Sequence, residues 1–393
     1  MSKKPFSLVS VLLLLAVTVF AGGAKEPSAA KAAPTQPAAL APETEDWEAI
    51  AKAAQAEGKV VIYSLSSRIF DAVKTFNAQY PGITVEASDM TGPDQVEKLT
   101  REQAAGVYNV DVLNIASGPT VVNELLPKGL LKNYVPQVLV DGKASKDVIP
   151  QAFREPALVH SLEAKVVFYN FETYPQPPVD SLWDLTRPEW MGRVQMKDPM
   201  STEENMNLLQ TIVQKADLMA AAYKEEFGED IKLSPGIKNA GYEFILRLVR
   251  NKLVLVTSDG TASKAVGTAG QKNPPLTFAV ASSKIRDNAG GQKLAIAWNL
   301  KPKVGIVKEN YLLMANKAPH PNAARLLIRW MLGDAKGGAG MVPWYVEGQW
   351  ASRSDVPPVG SVGLGDLGKY TWSIDYPYVF KEGLAVRDFW LGL

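Results

Sequence analysis

The sequence predicts an α/β fold in which mainly parallel sheets are flanked by helices, and three observations carry that expectation. Strand-like and helix-like segments alternate at a short pitch from Asp46 to Pro119. The strand-like runs are continuously apolar, the pattern of strands covered on both faces. No segment repeats at a period of about 20–50 residues, which argues against a solenoid.

The elements follow in order. Asp46 caps a helix through Ala56, carried by Trp47, Ile50, Ala51 and Ala54 and ended by Gly58. Val60-Val61-Ile62-Tyr63 is the first strand. Ser64, Ser66 and Ser67 follow it, and then a helical pattern (Ile69, Phe70, Val73, Phe76) stops at Tyr80-Pro81-Gly82. A strand from Ile83 to Ala87, a helix from Gln95 to Ala105 and a strand from Val110 to Ile115 complete the first run. Ala116-Ser117-Gly118-Pro119 then opens another helix.

Later the order is less regular. Val166 to Tyr169 is a strand, and Pro175-Gln176-Pro177-Pro178 a rigid loop. Val194-Gln195-Met196 precedes Asp198-Pro199-Met200-Ser201-Thr202-Glu203, which opens a helix. Gly241 to Arg250 is helical, Leu253 to Thr257 a strand, and Ser258-Asp259-Gly260-Thr261 the next turn. Lys303 to Val307 and Tyr311 to Ala315 read as two strands, and Ala323 to Leu332 as an amphipathic helix.

The ends of the chain and its composition narrow the function. Lys3 and Lys4 precede an apolar run from Leu8 to Phe20, and Val19-Phe20-Ala21 has the small residues of a cleavage site. Residues 1–21 therefore read as a secretory signal peptide, shorter than the roughly 20 apolar residues of a membrane span. Residues 22–45, rich in Ala, Pro and Lys, read as a disordered spacer. With no cysteine in the chain, the expectation is an exported, soluble, unanchored protein with no disulfide and no thiolate-held metal. An outer membrane would retain it, which points to the periplasm. Of 42 basic residues, 40 remain without Lys3 and Lys4, against 41 acidic ones, which speaks against nucleic-acid or anionic-membrane partners. The remaining length, from Asp46 onward, suggests two lobes rather than one core.

Candidate site residues lie where strands hand over to helices. Ser66 and Ser67, Ser117, Ser201 and Thr202, and Asp259 with Thr261 each stand at such a turn. In open α/β sheets ligands sit at the carboxyl ends of strands, and helix N-termini there favour anions. The same residue types are also ordinary helix caps. Only His160 and His320 exist, so a histidine triad or multi-histidine metal site is not expected. Gly363-Leu364-Gly365-Asp366-Leu367-Gly368 matches the dinucleotide pattern by letter, but it follows Pro357-Pro358 rather than a strand and reads as a loop. Asp198, Glu203 and Glu204 read as complements to a helix dipole. The aromatics of the C-terminal third (among them Trp344, Trp350, Trp372 and Tyr376) read as core or seam.

The chain also resembles family 1 extracellular solute-binding proteins of bacterial ABC importers, in the branch that includes the ferric-ion-binding proteins. The residues that carry the resemblance are Lys59-Val60-Val61-Ile62-Tyr63-Ser64, Val110-Asp111-Val112, Leu182-Trp183-Asp184-Leu185 and Pro188-Glu189-Trp190-Met191-Gly192. Ala318-Pro319-His320-Pro321-Asn322-Ala323-Ala324 and Arg353-Ser354-Asp355-Val356-Pro357 complete the set. The resemblance implies a type II periplasmic-binding-protein fold, two lobes joined by hinge strands that close over a ligand. By analogy the first lobe is residues 46–176 plus 301–340 and the second is 177–300 plus 341–393. Ferric members use a histidine after the first strand, a glutamate after the third and a tyrosine pair in the second lobe. This chain has Ser67, Ala116 and Asp259-Gly260 at those places. The anion-holding helix start survives as Ser201-Thr202-Glu203, and relatives resembling this pattern take phosphonates or sugar phosphates.

The resulting expectation is a monomeric, cofactor-free, non-enzymatic receptor. It would capture a small anionic organic solute (phosphonate, sugar phosphate or carboxylate) and deliver it to an inner-membrane ABC permease. Ser66, Ser67 and Ser117 would donate from one lobe, Ser201 and Thr202 would hold the anion, and Asp259 would accept from a hydroxyl or ammonium. A ferric receptor using non-tyrosine oxygens is the first alternative, and a secreted hydrolase the second.

Overall fold

The computed structural model describes residues 45–393. The expected signal peptide, and the expected spacer apart from Glu45, lie outside the described residues. Glu45 belongs to the folded body: its carboxylate accepts from the Gln137 amide at 2.7 Å and from the Tyr134 hydroxyl. Asp46 then caps the helix Trp47–Glu57 through the amides of Glu48 and Ala49, and Gly58, at φ 70°, ends it.

Two sheets organise the chain. In the larger, neighbouring strands run 280–281, 159–166, 305–315, 112–115, 59–64 and 84–89. Strand Lys59–Ser64 pairs in parallel with Thr84–Asp89 on one side and Val112–Ile115 on the other. The helices Ile69–Gln79 and Gly92–Ala104 make the crossovers, as the apolar strand runs and intervening amphipathic patterns require. The second sheet is parallel and three-stranded, in the order 254–256, 194–197, 276–277. These are the two α/β units of a type II periplasmic-binding-protein fold.

Long antiparallel strands, Val159–Val166 and Gly305–Ala315, lie at the centre of the larger sheet. Both differ from the sequence expectation. The first begins seven residues before Val166, and the second is one strand rather than two. Polar residues interrupt the apolar pattern in each: Ser161, Glu163 and Lys165 in one, Lys308, Glu309 and Asn310 in the other. Gly305 allows the close approach, because a Cβ there would lie 1.8 Å from the Lys165 carbonyl oxygen. Strands Gln349–Ala351 and Thr371–Trp372, from the segment expected in the second lobe, pair with 159–166 and 305–315.

The helix expected after Ala116-Ser117 is only the short turn Gly118–Thr120 followed by the wider turn Val121–Leu125. Residues 363–368 lie in two short turns with no strand leading into them, as the loop reading requires. Two apolar cores hold the fold. One packs Val60, Ile62 and Phe76 against Leu327 and Trp344. The other joins Leu113, Ile115 and Phe168 to Trp183, Phe244 and Phe278. Each fully buried side chain of this size contributes about 1.5–3 kcal/mol. Trp344, Trp350 and Trp372 are buried, so these aromatics serve the core.

Candidate functional site

The turn after the first strand supplies Ser66, Ser67 and Arg68. Their carbonyl oxygens accept from the opening amides of the 69–79 helix, including Ile69 to Ser66 and Phe70 to Ser67, both at 3.1 Å. Ser66 Oγ also accepts from the Arg68 amide at 3.4 Å, which leaves its hydroxyl proton free to donate. Ser66, half-buried, and Ser67, exposed, line a cavity of about 180 Å³ together with Arg68, Glu163, Arg286 and Lys308. Arg68 donates to Ser283 Oγ at 3.3 Å and to the Gln349 side chain. It pairs with no carboxylate among the described residues.

The polar faces of the two central strands supply most of the remaining charge. Glu163 and Lys308 stand directly opposite in register, and Lys308 Nζ lies 3.0 Å from Glu163 and 3.7 Å from Glu204. Ser283 also donates to Glu163. Burial opposes ionisation of Glu163, but Lys308, then Ser283 and Lys165, hold its carboxyl below the usual range. Burial likewise disfavours charge on Lys308, and Glu163 and Glu204 outweigh it, raising its pKa. Lys165 donates to Asp259 at 3.0 Å, and the same Asp259 oxygen accepts from the Ala281 amide. Asp259 Oδ1 is buried without a partner.

The start of the helix Glu203–Gln214 is filled by the chain itself. Thr202, buried, donates its hydroxyl to Glu204. Burial would raise Glu204, but Lys308, Lys165, Thr202 and its own backbone amide pull it down to about 2. Its neighbour Glu203 goes the other way. Burial, with a contribution from the Glu204 charge, pushes it up to about 7 against a hydrogen bond from the buried Ser117. One carboxyl is ionised and the other is poised near neutrality.

The candidate residues are therefore divided. Ser66 and Ser67 face one cavity, Ser117 is engaged by Glu203, and Asp259 by Lys165. Ser201 is exposed and donates to the Asp198 carbonyl at 2.8 Å; Thr261 is exposed and bonds Ser258, which caps the helix Asp259–Gly267. Neither Ser201 nor Thr261 lines the 180 Å³ cavity. At the Ser201-Thr202 turn, where the sequence places an anion, Glu204 takes the Thr202 hydroxyl, and Thr202 and Glu203 line a separate cavity of about 400 Å³. Sequence reasoning missed Arg68, Glu163, Lys165 and Lys308. Their signal was charged residues alternating inside strands that are otherwise buried, an arrangement that demands partners.

The histidines stand apart. His160 is buried, with Nε2 3.0 Å from the Met331 carbonyl, and burial lowers it to about 4. His320 pairs with Asp111 at 2.9 Å beneath the helix Pro321–Met331. Among the described residues, no group of three or more His, Asp or Glu is placed to hold a metal, and no helix is long and apolar enough to cross a membrane.

A profile of bacterial extracellular solute-binding proteins matches residues 71–353. The chain belongs to that family. The structure of this solute-binding protein is similar to iron-bound HitA from Pseudomonas aeruginosa, with a TM-score of 0.60 at 15% identity over 84% of this chain and 99% of that one. Apo ferric ion-binding protein A from Pasteurella haemolytica matches with a TM-score of 0.62 at 16% identity, over 84% and 96% of the two chains. AgtB from Agrobacterium tumefaciens in complex with agropinic acid matches at 0.59 and 15%, over 85% and 98%. At these identities the likeness is one of fold. Comparison of the sequence with curated proteins finds no match.

Proposed function

We propose that this solute-binding protein captures a small anionic organic solute in the cavity between the 66–68 turn and the 281–286 segment. The reading places it in the periplasm, where it would deliver cargo to an ABC permease without performing chemistry. Arg68 is the observation that carries it: a guanidinium at the cavity with no carboxylate partner among the described residues. Arg286, Lys284 and Lys308 line the same space, against a single lining carboxylate, Glu163. A guanidinium matches carboxylate and phosphate oxygens through paired hydrogen bonds, each stronger than a neutral one.

Ser66 and Ser67 supply hydroxyl donors beside it, and Asp259 fixes Lys165 behind it. About 180 Å³ is below the roughly 300–1,000 Å³ of sites for drug-sized molecules, which favours a solute of few heavy atoms such as a phosphonate or small carboxylate. Closure of the two lobes would hold Arg68 against Ser283, as in the 3.3 Å bond seen here. The ligand must then bind that closed form better than the open one.

Thermal-shift screening of phosphonates, sugar phosphates, carboxylates and ferric salts tests the reading. Organic anions should raise the melting temperature of the wild type and raise that of Arg68→Gln clearly less at the same concentration. Stabilisation by ferric salts alone, or equal stabilisation of Arg68→Gln, overturns it.

A further inference from the structure

The two central strands line another cavity on their opposite face. Successive residues of a strand point to opposite faces, so Lys308 lines the 180 Å³ cavity and Glu309 turns away from it. Glu309, opposite Leu162 in register, lines a cavity of about 220 Å³ that shares no lining residue with the 180 Å³ one. Phe153 and the 364–376 segment supply the rest of its wall. Leu162, Val307, Leu364, Leu367 and Ile374 make that wall largely apolar, and no Lys, Arg or His belongs to it.

One oxygen of the Glu309 carboxylate is held from within the protein and the other is not. Tyr376 donates to Oε2 at 2.8 Å, and the Tyr311 hydroxyl bonds the same oxygen and lies 2.6 Å from the Tyr376 hydroxyl. Tyr311 is 2% exposed. Burial above all raises both phenols well beyond their ordinary value, which keeps them protonated beside the carboxylate. Glu309 Oε1 has no hydrogen-bond partner, and the carboxylate no cation within ion-pair reach, among the described residues. Glu309 is only half-buried, and Oε1 keeps accessible surface, so it is presented to a molecule in the cavity. A carboxylate set in an apolar wall and clamped on one oxygen calls for a cation at the other. A metal ion fits poorly, because hard cations take six or more oxygens, and no group of three or more His, Asp or Glu among the described residues is placed to hold one.

We propose that this cavity is a further binding site, for a small primary alkylammonium. The ammonium donates to Glu309 Oε1, and the alkyl chain packs on Leu364, Leu367 and Ile374. A volume below the roughly 300–1,000 Å³ of drug-sized sites suits a chain of few carbons.

Isothermal titration with isopentylammonium chloride tests it, with isopentanol as the control that lacks the charge and methylammonium as the control that lacks the chain. Saturable binding of isopentylammonium is expected, at least tenfold tighter than either control, and weakened at least tenfold by Glu309→Gln. Ser373 is exposed and lines the cavity, so Ser373→Lys, which brings a competing ammonium to Glu309, should weaken it as much. That surface variant keeps the test valid if Glu309→Gln fails to fold. Arg68→Gln should bind isopentylammonium as the wild type does, which separates this site from the 180 Å³ cavity. No saturable binding up to about 10 mM, equal binding of either control, loss of binding in Arg68→Gln, or full binding by Glu309→Gln or Ser373→Lys overturns the proposal.

Discussion

Two turns with nearly the same sequence character meet opposite fates. Ser66-Ser67-Arg68 and Ser201-Thr202-Glu203 each place small hydroxyl residues where the chain enters a helix. At the first, the opening amides bond to backbone carbonyls, and an arginine without a carboxylate partner is left beside a cavity. At the second, Glu204 folds back on Thr202 and is held ionised by Lys308 and Lys165. An anion-ready helix start is thus a property of neighbours as much as of the turn. Lysines from distant strands drew a carboxylate of the chain itself into the second turn.

The comparison can be broken most forcefully at Lys308. Lys308→Met strands Glu163 and Glu204 without their shared counter-charge, and urea denaturation should show a loss of about 3–5 kcal/mol. Adding Glu163→Gln should recover part of that loss. At the other turn, Arg68→Gln should leave folding nearly intact. It should weaken organic-anion binding by about 10–100-fold in titration calorimetry, as expected for a charge-assisted bond of about 1.5–3 kcal/mol.

Between these lies the pair Glu203 and Glu204, whose pH responses have opposite signs. Glu203, raised to about 7 in the folded state, contributes stability that is full below its unfolded value and is lost as pH rises through 7. Glu203→Gln should therefore be more stable than wild type by about 1–2 kcal/mol at pH 8 and equal to it near pH 4, as followed by thermal denaturation. Glu204, lowered to about 2, contributes stability above its unfolded value that falls away as pH drops toward 2. Glu204→Gln should accordingly flatten the acid limb of the same profile. The smallest effect belongs to a turn that only caps. Ser258→Ala removes the bond to the Thr261 amide at 3.0 Å and should cost about 1 kcal/mol of stability with no change in anion affinity.

Legibility in the sequence followed how local each cause was. The segment from Asp46 to Ile115 could be read almost residue by residue, because caps, apolar runs and Gly58 act within a few positions. The strand 305–315 was split in two because Lys308, Glu309 and Asn310 break its apolar run, and their partners are far away in the chain. Asn310, for example, donates to Ser161 Oγ at 3.2 Å, and Tyr376 donates to Glu309 at 2.8 Å. Of the 180 Å³ cavity, Ser66 and Ser67 were legible as a turn, whereas Arg68, Glu163 and Lys308 had no local signature beyond being charged among apolar residues.

The sequence by itself determined the α/β order, the family and the handover points between strands and helices. It could do so because propensity, capping and hydrophobic period depend on neighbours along the chain. Only the tertiary structure decided which handover point lines a cavity beside an arginine without a carboxylate partner among the described residues and at which Glu204 takes the hydroxyl. That choice rests on electrostatics between Lys165, Glu163, Lys308 and Glu204, which share one buried seam although three separate segments supply them. Coulombic attraction in a poorly solvated interior depends on distance in space, and no pattern along the chain encodes that distance.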